Sequence, residues 1–328
     1  MKIVIIGSRD RYQKYLPDTS LVKSADIVFL PRSYEAEELL SQGTDADAVI
    51  IDPMAHLPGE HIEAMPKLRM IQSEGVGYNH IDYELAKSRG IFVSNCKGAN
   101  AAAVAEQTVL LMLALLRSTI TGDRVEREGR QAEMKERLMF EGITELGDCR
   151  IGLIGFGDIA RATAKRLIPF ECELYYTSRT RKPQLEEEYH VTWLEQDKLI
   201  STCDIVSLHC PVTPETVGMV DAGFLARMKP DAYLVNTARG DLVDNLALYD
   251  AIVSGRLRGA GLDTVYPEPT TQDNLLLNLP AEYMERITFS PHIGGITTSF
   301  FRRAHRFIWE NVERALSGER PEHIVNGL

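Results

Sequence analysis

The sequence predicts an α/β protein built from two doubly wound parallel sheets. Three observations lead there. Short apolar runs alternate with helical patterns along most of the chain. They fall into two series: residues 2–6, 26–30, 48–51, 69–72 and 91–94, then 150–154, 173–177, 205–209, 232–236, 259–262 and 287–290. Apolar strands of this kind are buried on both faces, which requires a parallel sheet covered by helices on each side. Length is the third observation: 328 residues exceed what one core usually holds, so each series forms its own unit.

The long helical pattern at 101–116 separates the two series and marks a domain boundary. The last pattern, 298–316, is amphipathic, with Phe300, Phe301, Ala304, Ile308, Val312 and Leu316 on one face. It follows the second series but is expected to pack on the first unit. The charged, irregular segment 119–146 reads as a solvated loop and helix. Its alternative reading is an arm that embraces a second subunit.

Composition narrows the function. The net charge of −11 repels a phosphate backbone, and no long Lys/Arg run offsets it, so no nucleic-acid partner is expected. Five scattered cysteines without a CxxC pair suggest reduced thiols in a cytoplasmic protein. The opening MKIVIIGSRD reads as a core strand and not a secretion signal. The apolar run 109–116 is too short to span a bilayer, so no membrane partner is expected. No metal-ligand set is assigned.

The run 150–154 leads into Gly155-Phe156-Gly157-Asp158-Ile159-Ala160, and a helical pattern at 159–168 leads out. This is the context a dinucleotide-binding loop needs. Gly155 allows a tight turn, Gly157 lets the backbone approach a pyrophosphate, and the helix start offers N–H donors. Ala160 is small enough for close helix–strand packing. The next strand usually ends in a carboxylate that accepts from the ribose hydroxyls of NAD. Here it ends in Ser178-Arg179-Thr180, and Glu173 lies at its wrong end. A guanidinium suits a 2′-phosphate, so NADP(H) is expected over NAD(H), the alternative.

Hydride chemistry at a carbon bearing oxygen also moves a proton to or from that oxygen. A histidine suits the proton, a carboxylate orients it, and an arginine clamps an acidic substrate. Arg239, Glu268 and His292 each follow a strand of the second series, at the ends that face the ligand crevice in such sheets.

Together these motifs resemble the D-isomer-specific 2-hydroxyacid dehydrogenase family, of the glyoxylate/hydroxypyruvate reductase type. The match covers nearly the whole chain. It includes Glu74-Gly75-Val76-Gly77-Tyr78-Asn79-His80-Ile81-Asp82, residues 100–106, the Gly155 loop, and residues 208–216, 236–240, 261–269 and 290–295. The resemblance implies a flavodoxin-like catalytic domain, residues 1–100 and 294–328, with a Rossmann domain, 101–293, inserted. It implies that His292 is the acid/base, that Glu268 pairs with it, and that Arg239 binds the carboxylate and polarises the 2-oxo group. Backbone at Val76 and Gly77 would hold the substrate carboxylate. Asp263 would bond the nicotinamide carboxamide. Cys210, Pro211 and Thr216 would line the adenosine side, Thr237 and Ala238 the nicotinamide side. Thr108 would touch a phosphate, and Gly155, Phe156, Gly157, Asp158, Ile159 and Gly294 complete the cofactor set. His80 and His209 read as structural.

The chain departs from the family in three places: Ala160, the missing acidic strand tip, and Gly129 followed by Arg130 where the arm often carries tryptophan. Glu268 argues against the formate-oxidising branch, which lacks that carboxylate. The expected function is an NADP(H)-preferring reductase of small 2-keto acids such as glyoxylate or hydroxypyruvate, acting as a homodimer. The alternative is a nicotinamide-sensing, corepressor-like binding protein on the same fold.

Overall fold

In a computed structural model describing Met1–Leu328, the chain divides into two compact units. Unit 1 holds Met1–Asn100 with Ile296–Leu328, and unit 2 holds Ala101–Gly295. Gly294 and Gly295 therefore belong to unit 2, two residues past the boundary read from the sequence. The cause is local: the Gly294 N–H donates to Asp263 Oδ2 at 2.9 Å, which ties the segment to unit 2.

Unit 1 carries β1 (Lys2–Ile6), β2 (Asp26–Leu30), β3 (Ala48–Ile51), β4 (Met70–Ser73) and β5 (Phe92–Ser94), all parallel, in the order β2-β1-β3-β4-β5. The two-residue period of a strand sends alternate side chains to opposite faces. Ile3, Ile5, Ala48, Ile50 and Met70 bury one face against the final helix, Thr298–Ser317, through Phe300, Ile308, Trp309 and Val312. Val4, Ile6, Val49, Ile51 and Ile71 bury the other. Thr297 caps that helix by accepting from the Phe300 N–H at 3.1 Å, and Gly318 ends it at φ +88°.

Unit 2 carries β6 (Arg150–Ile154), β7 (Glu173–Thr177), β8 (Val191–Trp193), β9 (Ile205–Leu208), β10 (Tyr233–Asn236), β11 (Gly259–Leu262) and β12 (Ile287–Phe289). Their order, β12-β11-β10-β9-β6-β7-β8, reverses direction between β6 and β9. In such sheets the ligand crevice opens beyond the carboxyl ends at that reversal. Helix Ala101–Leu116 covers part of one face; Met112 and Leu115 share a core there with Ile151, Leu153 and Val235. No single helix in the chain is long and apolar enough to cross a membrane.

The charged segment after that helix forms two helices, Thr119–Arg127 and Gln131–Glu141, joined through Gly129 at φ +73°. Arg124 and Arg137 both pair with Glu285, at 3.2 and 2.9 Å.

Candidate active site

Beyond β6 the Gly155 loop sits at the reversal of the unit 2 sheet. A side chain at Gly155 has no room: its Cβ would lie 2.6 Å from the His209 carbonyl oxygen, and φ is +91°. Only glycine tolerates both constraints. Gly157 is the opposite case, with open space where a Cβ would stand. The backbone there can be approached closely, and helix Asp158–Leu167 begins with N–H groups that lack intrahelical acceptors. The loop thus fits a dinucleotide pyrophosphate. Ala160 is fully buried against the sheet, as its size permits. Ile159 is half-buried in the first helical turn. The Phe156 side chain is also buried, 4.4 Å from the Tyr176 ring centroid, so only its backbone is available to a ligand. Asp158 places a negative charge in the first turn; Arg161 neutralises it and also donates to the Gly157 carbonyl at 3.3 Å.

The cations after β7 have different fates. Arg181 forks onto Glu186 at 2.7 and 2.8 Å and lies over the Trp193 ring, so it is committed to structure. Lys182 donates from Nζ to the Phe156 carbonyl at 2.8 Å, which places a charge beside the glycine loop. The sequence reading passed over Lys182; its signal was a third cation within four residues of Arg179. Arg179 is exposed and makes no ion pair or hydrogen bond. Ser178 donates to the Thr180 carbonyl at 2.8 Å and shapes the turn. Across the crevice entrance, Thr216 Oγ1 donates to the Pro211 carbonyl at 2.8 Å and closes the turn that follows Cys210. Burial pushes the Cys210 thiol up, which leaves it unreactive. His209 is structural: its Nε2 shares a 2.9 Å hydrogen bond with Ser207, and burial pushes its pKa down.

The catalytic candidates are brought together. Asn236, fully buried at the end of β10, accepts from the Ala238 N–H at 3.0 Å and donates to the Arg239 carbonyl at 2.8 Å. That fixes the Thr237–Ala238 turn and leaves the Arg239 side chain exposed, resting on the Ala238 carbonyl at 2.7 Å. Gly240 follows because its Cα packs on the Val265–Tyr266 backbone with no room for a Cβ, so the loops after β10 and β11 meet. Thr237 is buried and shares a 2.8 Å bond with Thr108, whose hydroxyl also donates to the Val104 carbonyl at 2.8 Å. Thr108 is thus inaccessible in this arrangement.

Asp263 organises the segment that presents the histidine. Its Oδ1 accepts from Ser290 Oγ at 2.5 Å and from the Ile293 N–H at 3.0 Å, and its Oδ2 accepts from Gly294. A carboxylate has about four acceptor positions, so one stays free. His292 is held at φ +52°, a conformation that costs a non-glycine residue on the order of 1 kcal/mol. Its N–H donates to the Asp263 carbonyl at 2.8 Å. Its Nδ1 bonds Glu268 Oε1. A carboxylate only accepts, so Nδ1 carries the proton and Nε2 is left free. The hydrogen bond from His292 holds the Glu268 carboxyl below its ordinary range; partial burial opposes this, and the charges of His292 and Arg239 add to it. Glu268 therefore stays ionised across neutral pH. An acid/base, its carboxylate partner and a free guanidinium thus share one edge of unit 2. That set can donate a proton to a carbonyl oxygen and hold an adjacent carboxylate.

In unit 1 the loop after β4 has an anion-receiving form. All three of its carbonyls are occupied: Gly75 by the Cys96 N–H at 2.8 Å, Val76 by Asn95 Nδ2 at 2.7 Å, and Gly77 by Ser73 Oγ at 2.6 Å. The N–H groups of Val76 and Gly77 are left without acceptors. Two successive free N–H groups can both donate to one anion. His80 is exposed nearby, edge-on to His56.

Comparison with known proteins agrees with this geometry. Residues 109–294 match the family described as D-isomer specific 2-hydroxyacid dehydrogenase, NAD binding domain. A glyoxylate reductase from Thermococcus litoralis is 34% identical over 299 residues, 90% of this chain and 88% of its own. A second, from Thermofilum pendens, is 35% identical over 315 residues, 94% of this chain and 91% of its own. Among solved structures, a protein from Thermus thermophilus superposes with TM-score 0.84 at 29% identity, covering 99% of this chain and all of that one. An acyclic imino acid reductase solved with NADPH and D-Arg superposes with TM-score 0.83 at 26% identity, with the same coverage. The chain belongs to the D-isomer-specific 2-hydroxyacid dehydrogenase family and acts on CH–OH donors.

Proposed function

We propose that this enzyme is an NADP(H)-preferring reductase of small 2-keto acids of the glyoxylate or hydroxypyruvate type. The observation that carries the cofactor preference is the tip of β7, where Arg179 is uncommitted and no carboxylate stands at the strand end. Ser178, Arg179 and Thr180 would hold the 2′-phosphate, and the Gly155–Ile159 backbone the pyrophosphate. Lys182 adds positive charge beside that loop. Cys210, Pro211 and Thr216 would border the adenosine, and Ala238, Gly294 and the remaining acceptor position of Asp263 the nicotinamide. Thr108 would act only through Thr237. The glyoxylate reductases at 34–35% identity and the NADPH complex of the imino acid reductase support this reading.

When bound, the reduced nicotinamide supplies a hydride to C2 of the substrate. His292 Nε2 gives the proton to the carbonyl oxygen, and Glu268 stabilises the histidine in its charged form. Arg239 receives the carboxylate and polarises the 2-oxo group; the Val76 and Gly77 N–H groups are the unit 1 donors that the family resemblance implies for a substrate carboxylate. Arg179→Ala should raise KM for NADPH by about tenfold or more, the scale of one charge-assisted contact, and leave KM for NADH nearly unchanged. Steady-state kinetics with both cofactors checks this. Equal effects on the two would mean that Arg179 is a surface charge.

We propose further that the enzyme is a homodimer. Met139, Phe140 and Ile120 on the two arm helices are 76%, 94% and 60% exposed, apolar surface that a second copy would cover. The five free cysteines fit a reducing cytoplasm.

A further inference from the structure

The carboxyl ends of β1, β3 and β4 in unit 1 converge on a buried ion cluster with no part in the chemistry above. Arg11, on the short helix Arg9–Tyr15, reaches two carboxylates at once. Its Nη2 donates to Asp52 Oδ2 at 2.7 Å and to Glu74 Oε2 at 2.5 Å, and its Nε to Glu74 Oε1 at 3.1 Å. Both carboxylates are 3% exposed. The guanidinium lies over Gly7, where a Cβ would stand 3.6 Å from Nη2 and 2.7 Å from the Tyr12 ring. It therefore fills the reversal point between β1 and β3, the place where an open sheet of this order would otherwise take a ligand.

Each carboxylate stands at the root of a loop. Asp52 begins the segment after β3: its Oδ1 accepts from the Met54 N–H at 2.9 Å, and Arg32 reaches Oδ2 at 2.8 Å. Glu74 begins the Gly75–Gly77 loop, and His305 of the final helix donates to its Oε1 at 2.8 Å. The two loops touch, because a Cβ on Gly75 would lie 2.9 Å from Pro53 Cγ. One planar fork thus bridges the roots of both loops. It also neutralises a carboxylate only two residues from the free Val76 N–H. Without that neutralisation, Glu74 would repel an anionic substrate at the same loop.

We propose that Arg11 is a positioning residue for substrate binding: it locks the Asp52 and Glu74 loops into one anion-receiving edge and cancels the negative charge beneath it. This rests on the reading of Val76 and Gly77 as carboxylate donors. Arg11→Lys is the informative change, since an ammonium keeps the charge but cannot span both carboxylates. In R11K, KM for glyoxylate should rise about tenfold or more with kcat within about threefold, because loosening a site by about 1 Å costs that much or more. The dissociation constant for NADPH should not move. Hydrogen exchange at the amides of residues 75–78 should accelerate. Asp52→Asn, which keeps the shape and weakens one arm of the bridge, should accelerate the same exchange by less; because it also removes a negative charge that opposes an anion, exchange and not KM is its readout, and it takes over as the test if R11K does not fold. A folded R11K with wild-type KM, or a folded D52N with wild-type exchange, overturns the proposal. Should the wild-type protein reduce no 2-keto acid, the functional reading fails, and the exchange rates alone decide for Arg11: acceleration supports the bridge and wild-type rates overturn it.

Discussion

His292→Ala is expected to lower kcat for 2-keto acid reduction by about 10²–10⁴-fold, the usual worth of a placed acid/base. The Gly155 loop and the β7 tip are untouched by the change, so the dissociation constant for NADPH should stay within about threefold. The reason for so large an effect is geometric. His292 is held in a left-handed conformation by bonds to the Asp263 backbone, with Nδ1 committed to Glu268. Nε2 is the single nitrogen left for the substrate, and water cannot take its place with the same orientation. Glu268→Gln tests the same pair more gently. Loss of the carboxylate leaves the ring without its charged orienting acceptor, so kcat should fall, but by less than in His292→Ala. Steady-state and single-turnover kinetics, with cofactor binding by fluorescence, would separate these effects. Wild-type kcat in His292→Ala would remove it as the acid/base.

Arg239→Ala should lower kcat/KM for the keto acid by about 10²–10⁴-fold, because two charge-assisted hydrogen bonds of about 1.5–3 kcal/mol each are lost. Its guanidinium rests only on the Ala238 carbonyl, so little fold stability should go with it, and the melting temperature should move by no more than a few degrees. Arg239→Lys should recover part of the binding but not the bidentate geometry. An unchanged kcat/KM in Arg239→Ala would show that the carboxylate is held elsewhere.

Much of this was legible in the sequence for a physical reason. Strands such as Lys2–Ile6 and Arg150–Ile154 are buried on both faces after their first residue, so they read as unbroken apolar runs and stand out. β8 did not stand out: Val191–Trp193 is a three-residue edge strand paired only to β7. β4 lies one residue later than its apolar run suggests, because it ends in the buried polar pair Gln72 and Ser73. The arm's two helices were hidden by a charged sequence whose partner, Glu285, lies about 150 residues on. Arg239, Glu268 and His292 stand out as candidates because each lies in the loop beyond a strand end. The devices that place them do not. Asn236 reads as one more strand residue until its side chain is seen to hold the Ala238–Arg239 turn. Asp263 reads as a cofactor ligand, yet it spends three acceptor positions on the His292 segment. The Arg11 cluster joins residues from four distant parts of the chain, a coincidence that only the folded sheet reveals.

The central claim is tested most directly by initial rates of NADPH and NADH oxidation with a panel of small 2-keto acids. Turnover is expected with at least one of them, glyoxylate or hydroxypyruvate among the best, and with a higher kcat/KM for NADPH than for NADH. Failure of every 2-keto acid to oxidise either cofactor would contradict the proposed reaction, and a clear preference for NADH would contradict the role given to Arg179.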